Sequence, residues 1–296
     1  METTRQESQK QTLEAQRPFS LTIYLLIVVA LSWPFQIAYA LWGTTPRASY
    51  LLSSISMVMV TVGTIIAGRY VFRDGFKNAG WRWGSPTHYL WVFGLALFIF
   101  AVPTLLEPLL GLRVLPVEIS VIAIFGNFLL RFLLTLIPGF GEEFGWRGYM
   151  LPHLARRYTP RKALLIHAFI WWAWHIPALV AIGSRLEGGD ANVGVAIAGT
   201  LLISLIPAMM NAVIFAYVWT ATQSLAVSSV YHSAYDEVRD AIEKSIGFGP
   251  LVGIWEMAAT TIIGAVLLWK GNWKPLLTEK SVDEAKAIWL FRKSEN

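Results

Sequence analysis

The sequence predicts an all-α, polytopic membrane protein with about eight transmembrane helices around a polar intramembrane cavity. Three observations predict it. Of 296 residues, 55% are hydrophobic and 15% charged, with a mean hydropathy of +0.51, whereas a soluble domain carries roughly 25% charged residues. The apolar residues fall in blocks long enough for a bilayer, which takes about 20 residues per helix. The ionisable residues inside those blocks gather in three short motifs, as side chains lining a cavity do, because a lipid-facing charge is costly. The formal charge of +5 does not point to nucleic acid: the basic residues collect in short connections between apolar blocks, the pattern of a membrane protein. There is no cysteine, which excludes disulfides, thiol catalysis and Cys-based metal sites.

A polar N-terminus, residues 1–18, shows no signal-peptide cleavage pattern and is read as cytoplasmic. The transmembrane domain, 19–270, holds apolar segments at roughly 19–43, 50–68, 89–110, 119–138, 163–183, 193–219, 221–236 and 251–269. The first has no charge between Arg17 and Arg47. The sixth and seventh share a charge-free stretch from Ala191 to Tyr235, too long for one helix and right for a helical hairpin. The seventh is the least apolar, and its Ser228, Ser229, His232, Ser233 and Asp236 make it a cavity wall. The tail, 271–296, sets Trp289, Leu290 and Phe291 among charges, as a surface helix would. With the N-terminus inside, inside segments hold 18 Lys and Arg and outside loops 5. That bias predicts a multi-pass protein of the cell membrane with both termini cytoplasmic. Trp81, Trp83, Tyr89, Trp269 and Trp273 suit the interfacial belts.

Three motifs carry the chemistry: Glu142-Glu143-Phe-Gly-Trp-Arg147, then Trp171-Trp-Ala-Trp-His175, then His232-Ser-Ala-Tyr-Asp236. Residues four apart share a helical face, so Glu143 and Arg147 form an orienting ion pair and Glu142 is the free carboxylate. Pro138-Gly139-Phe140-Gly141 is expected to break the preceding helix just before the pair. If a new helix starts there, its N-terminal dipole favours ionised carboxylates. His232 and Asp236 share a face, so Asp236 either holds one ring nitrogen or faces the same substrate. Pro177 kinks the fifth segment or frees a carbonyl next to His175. Arg131 is ambiguous, with a pair to one of the carboxylates as one option. His153 and His167 read as packed, hydrogen-bonded residues and His88 as interfacial. Glu107 and Glu256 read as snorkelling groups, and Trp171, Trp172 and Trp174 as packing.

Two histidines and a glutamate admit two chemistries. One is a zinc hydrolase with Glu142, His175 and His232 as ligands and a fourth position open, although no His-Glu-x-x-His is present. The other is metal-free acid–base hydrolysis. There Glu142 takes a proton from water, His175 orients that water or shuttles the proton, and His232 stabilises the oxyanion with Asp236 nearby.

The three motifs resemble the CPBP family, which includes the CAAX proteases and bacteriocin-processing enzymes. The family pattern is Glu-Glu-x-x-x-Arg, then Phe-x-x-x-His, then His-x-x-x-Asn/Asp on successive transmembrane helices. The first and third are intact here, while Trp171 stands where the family has Phe. The resemblance covers about residues 130–240. It implies an eight-helix intramembrane endopeptidase acting on membrane-associated or prenylated-like peptides within the bilayer. It implies Glu142 as water-activating base assisted by His175, with His232 and Asp236 at the oxyanion and Glu143 and Arg147 in support. The metal-free version, with no cofactor, is favoured over the zinc one. Asp236 in place of Asn weighs slightly against it, because a carboxylate donates to an oxyanion only when protonated. Two readings from other classes stay open: a small-solute transporter using the charges as a relay, and a non-catalytic scaffold or immunity protein that binds a peptide in the same cavity.

Overall fold

The computed structural model describes residues 18–114, 120–185 and 192–276, so the expected tail helix around Trp289 lies outside the described residues. Among the described residues, ten α-helices run in order: α1 Leu21–Trp42, α2 Pro46–Ile65, α3 Pro86–Leu109, α4 Val121–Glu143, α5 Leu151–Arg157, α6 Pro160–Trp174, α7 Ile176–Arg185, α8 Val193–Thr222, α9 Leu225–Ile246 and α10 Pro250–Lys270. Helix starts follow side-chain caps: Ser20 Oγ accepts from Ile23 N, Thr45 Oγ1 from Ala48 N and Ser224 Oγ from Val227 N. No strand occurs among the described residues.

Among the described residues, six helical spans are long and apolar enough to cross a membrane, or seven if the bent pair α6–α7 is one span. The count of eight expected from sequence therefore exceeds what length and hydropathy support. The difference is α9, whose Asp236, Glu237, Arg239 and Asp240 keep it from reading as a span. Large apolar side chains are exposed on the helices, among them Leu105, Ile122, Ile137, Leu202 and Ile262, as lipid-facing side chains are. The expected hairpin is present: α8 ends at Gln223, whose left-handed φ of 50° closes the helix, and Ser224 caps α9. α9 packs against α3, α4 and α8. Its inner face is buried although half of it is Ser, Ala and charged residues. Small residues let backbones approach closely in lipid, where apolar burial between helices gains little.

Two sequence expectations are corrected. The helix does not break at Pro138-Gly139-Phe140-Gly141. α4 runs unbroken to Glu143, and a π-turn over Phe144–Met150 leads directly into α5. The glycines serve close packing instead. A Cβ at Gly139 would lie 3.2 Å from Ser233 Oγ on α9. A Cβ at Gly141 would lie 2.8 Å from the Met57 carbonyl oxygen, and one at Gly145 2.4 Å from Val60 Cγ1, both on α2. Side chains of neighbouring helices bond the backbone where α4 passes into the π-turn. Here Thr61 Oγ1 donates to the Gly141 carbonyl at 3.0 Å and Tyr24 Oη to the Gly145 carbonyl at 2.9 Å. The glutamates thus do not sit at a helix N-terminus. The second correction concerns Arg147, which is fully buried rather than part of a connection. Removing it from the inside count of 18 leaves 17 basic residues against 5.

Candidate functional site

The site forms where the end of α4, the bend between α6 and α7, and the middle of α9 meet. The π-turn begins one residue past Glu143 and carries Arg147. Such turns recur at functional sites because they re-aim side chains within a helix. Arg147 Nη1 donates to Glu143 Oε1 at 2.9 Å, the pair the spacing predicts, with both side chains fully buried. The same oxygen takes a second donor, His232 Nδ1, also at 2.9 Å. Glu143 therefore ties α4 to α9 across 89 residues of sequence, a contact that no local spacing announces. The Arg147 guanidinium lies 5.1 Å from the Trp171 ring and 4.8 Å from the Phe215 ring, a cation–π sandwich that helps to hold a buried cation.

His232 Nε2 faces Asp236 Oδ2 at 3.5 Å, one helical turn on, and Asp236 Oδ1 is 3.2 Å from Arg239 Nη1. The ring is thus flanked by a carboxylate on each side.

Glu142 is not entirely free. Trp171 Nε1–H donates to its Oε2 at 2.9 Å. Its other oxygen has no partner among the described residues, and the side chain lines two cavities. The helix bends by 50° between Trp174 and Ile176. Pro177 lacks the N–H that would continue the ladder, and His175 N bonds back three residues to the Trp172 carbonyl at 3.0 Å. The Trp171 carbonyl, left without its backbone partner, binds His175 Nδ1 at 2.7 Å. The kink expected at Pro177 is present; the carbonyl that His175 engages is that of Trp171, released by the bond from His175 N to Trp172, whereas the carbonyl that Pro177 itself would leave free is that of Ala173. A carbonyl only accepts, so Nδ1 carries the proton, and Nε2 of the neutral ring is the acceptor nitrogen.

The larger cavity, about 790 Å³, is lined by Glu142, Trp171, His175, His232 and Asp236 together with mainly apolar residues such as Ile203 and Pro207. A second cavity, about 400 Å³, reaches Glu142 and His175 past Gln36, Ser53, Arg131 and Arg239. All four predicted chemical residues therefore open on one space, while Glu143 and Arg147 stand behind it.

Other expectations resolve as follows. Arg131 pairs at 2.7 Å with both Glu237 and Asp240. Glu237 also accepts from Thr135 Oγ1 at 2.6 Å. His153 bonds Asp74 Oδ2 and the Tyr149 carbonyl. His88 Nδ1 accepts from Ser85 N where α3 begins. His167 is fully buried with neither ring nitrogen partnered among the described residues, so only its packing is as expected. Glu107 does not snorkel: it is buried, and its Oε1 accepts from Leu251 N and Val252 N, capping α10 from another helix. Glu256 accepts from Tyr235 Oη at 2.8 Å and lines the larger cavity. Trp171 does more than pack: its indole N–H holds Glu142, a polar role that the sequence does not signal. The zinc alternative on Glu142, His175 and His232 meets no assembled ligand group: no three or more His, Asp or Glu placed to hold a metal occur among the described residues.

Residues 124–238 match the family model described as "Type II CAAX prenyl endopeptidase Rce1-like". One curated relative, "CAAX prenyl protease 2" of Methanococcus maripaludis, is 29% identical over 101 residues, 34% of this chain. That match spans about a third of the relative's own length, 36%. The segment matched by the family model contains Glu142, Glu143, Arg147, His175, His232 and Asp236, and both comparisons support the CAAX protease family that the motifs resemble.

Proposed function

We propose, with that family similarity as premise, that the chain is an intramembrane endopeptidase that hydrolyses peptide bonds of membrane-associated or prenylated-like peptides with a water activated by Glu142. One observation carries the reading most: Glu142, His175, His232 and Asp236 converge on a single largely apolar cavity inside a bundle of membrane helices, large enough for an extended peptide segment. The polar cavity meeting it at Glu142 and His175 supplies a route for water. Both chain termini face the cytoplasm in this reading.

The chemistry follows from the donors and acceptors. The reacting water donates one O–H to Glu142 and the other to His175 Nε2, which turns its lone pair to the scissile carbonyl carbon. As the new C–O bond forms, its proton passes to Glu142. The oxygen of the tetrahedral intermediate is met by Nε2–H of a doubly protonated His232, whose charge Glu143 and Asp236 compensate from either side. When the C–N bond breaks, Glu142 returns its proton to the leaving amine. Asp236 acts by orienting His232 rather than as an oxyanion donor, which removes the objection that a carboxylate is a poor one. Glu143 and Arg147 keep His232 in register.

The test is cleavage of a quenched membrane-peptide library by purified protein, wild type against Glu142→Ala, each with and without a zinc chelator. Cleavage that survives chelation and is absent in Glu142→Ala is the expected result. Cleavage abolished by chelator and restored by zinc would reassign Glu142, His175 and His232 to ligand roles. Absence of cleavage with every peptide in the library would favour the peptide-binding scaffold reading.

A further inference from the structure

Glu142 and His175 both depend on Trp171. Its indole N–H reaches Glu142 Oε2 at 2.9 Å, its carbonyl reaches His175 Nδ1 at 2.7 Å, and its ring covers the Arg147 guanidinium at 5.1 Å. We propose that Trp171 is the positioning residue of this site: one residue that aims Glu142 and His175 at a shared water. The inference rests on the hydrolytic reading above.

A carboxylate turns easily about its last torsion, and an imidazole about χ2, because both wells are broad. A fixed donor or acceptor is needed to set each plane. The Trp171 N–H occupies one Glu142 oxygen and leaves the other to face the cavity. The Trp171 carbonyl sets the His175 ring plane and its tautomer together. That carbonyl is available only because the helix bends here: in an unbent helix the His175 backbone N–H would occupy it, and instead it bonds to the Trp172 carbonyl. The bend at Pro177 and the identity of residue 171 are thus two halves of one arrangement. A phenylalanine at 171 would keep the ring over Arg147 and the carbonyl for His175, and would lose the hold on Glu142. Packing alone would explain a large aromatic at this place; it would not explain an N–H placed on the candidate base.

Trp171→Phe deletes the donor and little volume. Hydrogen bonds to charged groups are the stronger class, and their loss in a transition state corresponds to about a ten- to hundredfold fall in kcat. The expected result is that fall with KM within twofold of wild type and an unchanged thermal midpoint. β-(3-Benzothienyl)alanine at 171, which replaces only N–H by sulfur, should do the same and covers the case in which Trp171→Phe repacks. A second readout needs no turnover: with ¹⁵N-labelled indoles, the Nε1–H resonance that vanishes in Trp171→Phe should shift in Glu142→Leu. Unchanged kcat in both 171 variants while Glu142→Ala is inactive would overturn the inference and leave the proposed function standing. A loss in KM alone would overturn it as well, in favour of a substrate contact. If wild type cuts nothing, the hydrolytic reading fails, and an indole resonance that ignores Glu142→Leu would show that Trp171 does not hold that carboxylate.

Discussion

Replacing Glu143 by Ala should cost far more stability than replacing its neighbour Glu142. Glu143 Oε1 is the shared acceptor of Arg147 Nη1 and His232 Nδ1, both at 2.9 Å. Arg147 is completely buried, and its Nε and Nη2 have no other partner among the described residues. Removing Glu143 leaves that guanidinium uncompensated in a dry interior, and breaking a buried pair from one side costs about 3–5 kcal/mol. At about 2–4 °C per kcal/mol for chains of this general size, the thermal midpoint in detergent should fall by about 6 °C or more. Arg147→Met in the Glu143→Ala background removes the stranded charge, so the double variant should melt above the single one, a coupling that a double-mutant cycle reads directly. A Glu143→Ala midpoint within about 2 °C of wild type, or a double variant that melts below the single one, would refute the view of Glu143 as the electrostatic anchor of the site.

Further outcomes follow from the same geometry. Gly145→Ala should destabilise by about 1–3 kcal/mol, because its Cβ would lie 2.4 Å from Val60 Cγ1, whereas Gly94→Ala, with nothing within 4 Å, should be neutral; parallel melting curves check both. His232→Gln should lower kcat about 10²–10³-fold, the cost of losing an oxyanion donor, as measured under saturating peptide. Gly199→Leu places a side chain on the wall of the larger cavity, where a Cβ meets nothing within 4 Å. It should raise KM several-fold with the midpoint unchanged, and an unaltered KM would show that the peptide does not occupy this cavity.

Much of the architecture is legible in the chain because lipid makes apolar run length nearly sufficient to place a helix. The hairpin of α8 and α9 and the pair Glu143–Arg147 follow from segment length and a four-residue spacing. The rest depends on contacts between distant residues. Gly139 and Gly141 read locally as helix breakers, and only the proximity of α2 and α9 reveals them, with Gly145, as packing positions. Glu107 reads as a snorkelling group until the N-terminus of α10 is seen above it. The link between Glu143 and His232, and the indole of Trp171 on Glu142, join different helices, and no periodicity encodes them. α9 falls short as an apolar span because of its charges, and these pair along the helix and with Arg131 of α4.

The most direct measurement is single-turnover cleavage of a defined membrane-inserted peptide in proteoliposomes, comparing wild type with Glu142→Gln, with the products identified by mass spectrometry. Glu142→Gln keeps the shape of the side chain and an acceptor for Trp171 while removing the base. The account predicts one hydrolysed peptide bond for wild type. For a Glu142→Gln protein of unchanged thermal midpoint it predicts a rate about 10²–10⁴-fold lower, the range of general-base catalysis. A folded Glu142→Gln protein that cleaves at the wild-type rate would contradict it.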